Sequence, residues 1–159
     1  MALIVFYRHG KAEPRREGVS DRERRLTREG VMQVECGGRL LLGAGFKKIL
    51  SSPYRRAVET AEILARTLKL SYAIADWLAP DSGVGLEDLE KFGVDDGVIL
   101  VGHNPWMEET IIELVGGALE LKAGGFAVVS VIAFRPGGGN LLSLVNPGVV
   151  NVCKGGGRA

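Results

Sequence analysis

Histidine and cysteine each occur only twice in this 159-residue chain, and both scarcities narrow what it can be. Cys36 and Cys153 stand far apart without CxxC spacing, so neither a zinc site nor a disulfide framework is expected, and both read as incidental thiols. No His-x-His pair or carboxylate cluster accompanies His9 and His103, which disfavours a metal centre; the chain is expected to work without metal or cofactor. Net charge is nearly absent. Twenty basic against nineteen acidic residues leave +1, so no bulk field recommends nucleic acid or an anionic membrane as partner. Long apolar runs are also missing: no stretch approaches the roughly 20 consecutive apolar residues of a membrane span. The apolar start Met1 to Tyr7 lacks a basic n-region and meets Arg8 and His9 too soon for a signal peptide, so a cytoplasmic protein is expected. Aromatic residues make up only 6%, and Trp77 and Trp106 read as packing residues.

What is present suffices for a core. A composition 46% hydrophobic and 25% charged at this length reads as a single domain spanning 1–159. Leu3 to Tyr7 is apolar without polar alternation, as in a strand buried on both faces of a parallel sheet. Lys11 to Arg25, with six basic and four acidic residues around Pro14 and Gly18, reads as a solvated surface loop. Thr27 caps a helix carrying Val31, Val34, Gly38 and Leu41 on one face, ending near Gly43 or Gly45. Lys47 to Leu50 is a second strand. Ser52 and Pro53 then supply an N-cap and a first-turn proline for a helix with Ala57, Ala61, Leu64 and Leu68 inward. Tyr72 to Ala75 suggests a strand, Leu86 to Phe92 a weak helix, and Val98 to Val101 a buried strand. Asn104 and Pro105 open a helix with Met107, Ile111, Leu114 and Val115 in phase. Phe126 to Phe134 and Leu141 to Val145 flank a Pro136 to Asn140 turn, the pattern of an antiparallel hairpin. The expected fold is α/β, a three-layer α/β/α sandwich whose mainly parallel central sheet gains a C-terminal antiparallel hairpin.

In such sheets, sites form beyond the carboxyl ends of the strands. His9 and His103 each follow a strand, while Arg55 and Arg56 begin a helix after another. Two histidines and at least two arginines beside helix N-termini describe an anion site, because a guanidinium fork and the N-terminal amides both favour phosphate oxygens. Phosphoryl transfer needs an in-line nucleophile and charge stabilisation, and a neutral imidazole supplies the first. His9, in a tight turn before Gly10, is the candidate nucleophile. Arg8, Arg56 and His103 are the candidate phosphate ligands, and Arg55 reads as a solvated helix residue.

At these residues the sequence resembles the histidine phosphatase superfamily, which includes phosphoglycerate mutases and acid phosphatases. Arg8-His9-Gly10 matches the family's Arg-His-Gly after the first strand. Leu26-Thr27 with Gly30 matches its Leu-Thr-x-x-Gly helix start. Ser52-Pro53-Tyr54-Arg55-Arg56-Ala57 with Thr60 matches its Ser-Pro-x-x-Arg-Ala-x-x-Thr segment, and Gly102-His103-Asn104 its late Gly-His. By length the chain is similar to the short SixA-type branch. That resemblance implies a phosphatase acting on a phosphohistidine-containing protein through a phosphohistidine intermediate.

One departure concerns the acid. Many family members place a glutamate after the third strand to protonate the leaving oxygen, whereas this chain reads Asp76-Trp77-Leu78-Ala79-Pro80-Asp81, with Asp81 the candidate donor. A site without a strong acid can still cleave phosphohistidine, because imidazole leaves as a neutral molecule. A small-molecule phosphomonoesterase and a catalytically silent phosphate-binding module are the alternatives.

Overall fold

The computed structural model describes residues 1–148 and Cys153. Its strands are β1 (Ala2–Arg8), β2 (Lys48–Ser51), β3 (Tyr72–Ile74), β4 (Val98–Gly102), β5 (Phe126–Val131) and β6 (Gly139–Val145), and its helices α1 (Arg28–Leu40), α2 (Arg55–Leu68) and α3 (Trp106–Val115). One sheet holds all six strands in the order β3-β2-β4-β1-β5-β6. The β1/β4, β2/β4 and β2/β3 pairs are parallel; β5 pairs antiparallel with β1 and with β6. The parallel α/β sheet with an added antiparallel hairpin is the architecture the sequence led us to expect.

The unbroken apolar runs of β1 and β4 follow from their central position, where each strand has a helix layer on either side. Ile4, Phe6, Val98 and Leu100 pack with Met107, Ile111 and Leu114 of α3. Val5, Tyr7, Ile99 and Val101 pack on the other face with Val34 of α1 and Ala57, Ala61 and Leu64 of α2. Parallel register sets Arg8 beside Gly102 and Ser51 beside Val101, so the residues that follow, His9, Ser52 and His103, emerge together at one sheet edge.

Several local expectations need correction. The two cysteines are not incidental thiols: Cys36 of α1 and Cys153 form a disulfide across a sequence separation of 117 residues. Sequence spacing does not reveal such a pair, because pairing depends on Cα positions that only the fold sets. Ser52 does not cap α2, which starts at Arg55 after Tyr54. The 86–92 stretch makes two short 3₁₀ turns and no α-helix, with the left-handed Gly93 closing it. Thr27 caps α1 as expected, its Oγ1 accepting from Gly30 N at 3.0 Å. Among the described residues no helix is long and apolar enough to cross a membrane.

Candidate active site

Three strand ends build the site, and the motif residues around them have packing reasons. A Cβ at Gly10 would stand 2.7 Å from Gly30 O and 2.9 Å from Val34 Cγ2, so the turn after His9 can press against α1 only as glycine. Gly10 N donates to Thr60 Oγ1 at 3.1 Å, and Thr60 Oγ1 in turn donates to Arg56 O at 2.7 Å. Thr60, one helical turn beyond Arg56, therefore ties the histidine loop to α2. His9 N donates to Gly102 O at 3.1 Å and Arg8 N to Gly125 O at 2.9 Å, which extends the sheet pairing into the loop.

The structure brings Arg8, His9, Arg56 and His103 together. The two imidazole centroids lie 5.1 Å apart. His9 Nδ1 is 2.7 Å from Gly10 O, an acceptor only, so Nδ1 carries the hydrogen and Nε2 is left as a lone pair. Arg56 Nε donates to that Nε2 at 3.2 Å. Both rings are neutral. Burial first, then Arg56, Arg8 and Arg24, bring His9 down to about 3 against the Gly10 hydrogen bond, which raises it. Burial, followed by His9 and Arg56, takes His103 down to about 2.

Arg56 is almost wholly buried, and its position depends on a residue that the sequence hid inside the charged loop. Its Nη1 donates to Asp21 O at 2.8 Å and its Nη2 to Asp21 Oδ2 at 3.3 Å. Asp21 Oδ1 also takes Nε of Arg24 at 2.8 Å, and Arg24 Nη1 reaches Glu13 O at 2.7 Å. Burial raises the Asp21 carboxyl, but Arg24 and Arg56 outweigh it and hold the group below its ordinary range. The Lys11 to Arg25 segment is thus anchored to the site at Asp21, and only a structure exposes that link. Tyr54 packs edge-on against His103 at 5.3 Å, with the guanidinium carbons of Arg22 and Arg56 over its ring at 5.6 and 5.1 Å.

Arg8 Nη1 donates to Leu121 O at 2.9 Å. The same carbonyl accepts from Asn104 Nδ2 at 2.9 Å, and Glu108 Oε2 accepts from Leu121 N at 2.8 Å. Asn104 closes the ring by accepting from Glu108 N at 3.2 Å, so it caps the first turn of α3 while bracing Arg8. Arg55, in contrast, points outward to Glu59 at 3.7 Å. Asp81 is exposed, with φ +62°, and lines a cleft of about 400 Å³ that His103, Asn104 and Trp106 share. Glu109, from the first turn of α3, lines that cleft too. It is a second carboxyl beside His103, one that no sequence motif singled out.

The family model of the histidine phosphatase superfamily (branch 1) matches residues 4–79, which include Arg8, His9 and Arg56. An uncharacterised protein of Picosynechococcus sp. is 35% identical over 145 residues, 84% of this chain and 85% of its own length. A protein of Agrobacterium tumefaciens provisionally assigned as phosphohistidine phosphatase SixA superposes with a TM-score of 0.77 at 24% identity, covering 92% of this chain and 98% of that one. A protein histidine phosphatase SixA solved with tungstate gives a TM-score of 0.74 at 26% identity, covering 91% and 97%.

Proposed function

The chain belongs to the histidine phosphatase superfamily, and from that premise we propose that it is a phosphatase which moves a phosphoryl group from protein phosphohistidine to His9 and then to water. One observation carries this reading: Gly10 O holds the proton of His9 on Nδ1, leaving a neutral Nε2 lone pair inside a ring of donors. Such a nitrogen attacks phosphorus without first losing a proton. The His9 Nε2–P bond forms as the substrate's P–N bond breaks. Arg8, Arg56 and His103 bind the three equatorial oxygens, and the leaving imidazole departs neutral, its other nitrogen already protonated. Water then takes the phosphoryl group from His9 and releases phosphate and a proton. The tungstate complex of the similar SixA protein supports an oxyanion site of this kind.

The proposal extends to the whole chain acting as one domain, without metal, on a phosphohistidine-bearing protein partner. A cytoplasmic setting belongs to it as well. That last point is opposed by the Cys36–Cys153 bridge, since disulfides rarely persist where thiols are kept reduced. The second reading, a small-molecule phosphomonoesterase, draws on the Asp81 and Glu109 carboxyls in the cleft beside His103. A substrate panel separates the two. Phosphohistidine protein and phosphoramidate should turn over faster than alkyl phosphates, activity should survive chelators, and brief labelling should leave an acid-sensitive, alkali-stable phosphate on His9. Efficient hydrolysis of sugar phosphates with phosphohistidine untouched would favour the second reading, and label on His103 would overturn the first.

A further inference from the structure

His103 leaves one proton unassigned. Its ring is only 4% exposed, yet its Nδ1 is buried with no hydrogen-bond partner, which native interiors tolerate at few positions. The other nitrogen, Nε2, lies 2.7 Å from Ser52 Oγ. A neutral imidazole carries one hydrogen, so the direction of the Ser52–His103 bond decides which nitrogen holds it.

The surroundings of Ser52 fix that direction. Ser52 is fully buried, and its Oγ has two partners: His103 Nε2 and the backbone N–H of Tyr54, which donates to it at 3.2 Å. An amide is only a donor. If Nε2–H also donated, the serine hydroxyl would hold two incoming hydrogens while its own proton met no acceptor, and Nδ1 would stay buried as a bare lone pair. If instead the hydroxyl donates to Nε2, every hydrogen on Ser52 is used, and the single unmatched group is a buried Nδ1–H on a ring whose centroid lies 5.1 Å from that of His9. The second arrangement leaves one buried polar group unsatisfied, the first leaves two, and the difference favours the second.

We propose that Ser52 is a positioning residue that sets the tautomer of His103: its hydroxyl donates to Nε2, keeps the proton on Nδ1, and so presents the ring to a phosphoryl oxygen as a neutral donor. The role rests on the phosphatase reading for what His103 binds, but the tautomer itself does not depend on it. It also accounts for serine at this place. β2 and β4 bring Ser52 beside His103 through their register, and Ser52 N donates to Val101 O at 2.9 Å, so the hydroxyl is aimed by the sheet.

The chain's only histidines are His9 and His103, so the imidazole nitrogens of uniformly ¹⁵N-labelled, tag-free protein can be read directly by two-bond ¹H–¹⁵N correlation. The wild type should show His103 with a protonated-type Nδ1 and a bare-type Nε2. Ser52→Ala should shift His103 toward the opposite tautomer, leave the His9 pattern in place, and weaken tungstate binding roughly five- to tenfold. Ser52→Thr, which keeps the hydroxyl, should restore the wild-type pattern in whatever fraction folds. A wild-type spectrum with His103 protonated on Nε2 or on both nitrogens overturns the proposal, and so does an unchanged His103 tautomer in Ser52→Ala. Failure of the phosphatase reading looks different: an Nδ1–H His103 that binds tungstate in a protein that hydrolyses none of the substrates.

Discussion

The loop after β1 and the loop after β4 each deliver one histidine to the same pocket, and they hold it by opposite nitrogens. His9 is fixed through Nδ1 by a main-chain carbonyl one residue away, an acceptor that no substitution removes, and its Nε2 is left unprotonated, accepting from Arg56 Nε. His103 is fixed through Nε2 by the side chain of Ser52, which follows another strand, and its Nδ1 is buried without a partner. The same residue type thereby offers a lone pair at one junction and, on our proposal, a hydrogen at the other. Function follows the anchoring atom more than the residue name.

The comparison can be broken directly. His9→Ala should cut turnover by on the order of 10⁴-fold or more, since no other group in the pocket replaces the attacking lone pair. His103→Ala should cost less, about 10²- to 10³-fold, as expected for one lost donor to transition-state charge, and should still form the labelled His9 intermediate. Equal losses in single-turnover assays would erase the division of labour. Reducing the Cys36–Cys153 bridge touches neither junction. It should lower unfolding free energy by about 2–4 kcal/mol in denaturant titrations while initial rates at 25 °C stay near wild type. Arg56→Ala should weaken vanadate inhibition by about 1.5–3 kcal/mol, roughly ten- to a hundredfold, whereas Arg55→Ala should leave it within a factor of two or three. A last, cumulative effect concerns pH. Both folded histidines titrate far below the unfolded value of about 6.5, so between that pH and about 3 the unfolded chain binds protons that the folded chain refuses. Stability is therefore fully present above pH 6.5 and is lost as pH falls through the window. The slope is at most about 1.4 kcal/mol per pH unit for each histidine. Replacing either ring with asparagine should flatten the urea-midpoint profile there, and an unchanged slope would mean that the ring already titrates normally.

Much of this was legible before any coordinates. The apolar runs of β1 and β4 announced a strand buried on both faces, and the sheet rule then placed whatever followed them at one edge. Arg56 was separable from Arg55 only through the resemblance, and the structure gives the physical ground: one guanidinium is buried against His9 and Asp21, the other is in solvent with Glu59. What stayed hidden were contacts between segments distant in sequence. Ser52 before Pro53 carries the marks of a helix cap, but its hydroxyl meets the ring of His103, 51 residues on. Asp21 is one acidic residue among ten charged ones, and nothing in its neighbourhood marks it as the acceptor for Arg56. For Asp81 as the acid, Asp81→Asn should slow alkyl ester hydrolysis much more than phosphoramidate hydrolysis, and equal losses on both would remove it from that role.

The Cys36–Cys153 bond divides the chain into a covalent ring and a free arm. Arg56, His103, Ser52 and Asp81 lie within the ring, whereas Arg8, His9 and Asp21 lie on the arm, whose strand β1 is nonetheless inserted between the ring's own β4 and β5. A protease nick therefore has unequal consequences. A cut near Gly83 leaves the two pieces joined on a non-reducing gel. One between Arg15 and Arg16 severs the nucleophile from every linked segment, so that only non-covalent contacts, those of a central strand foremost, retain it.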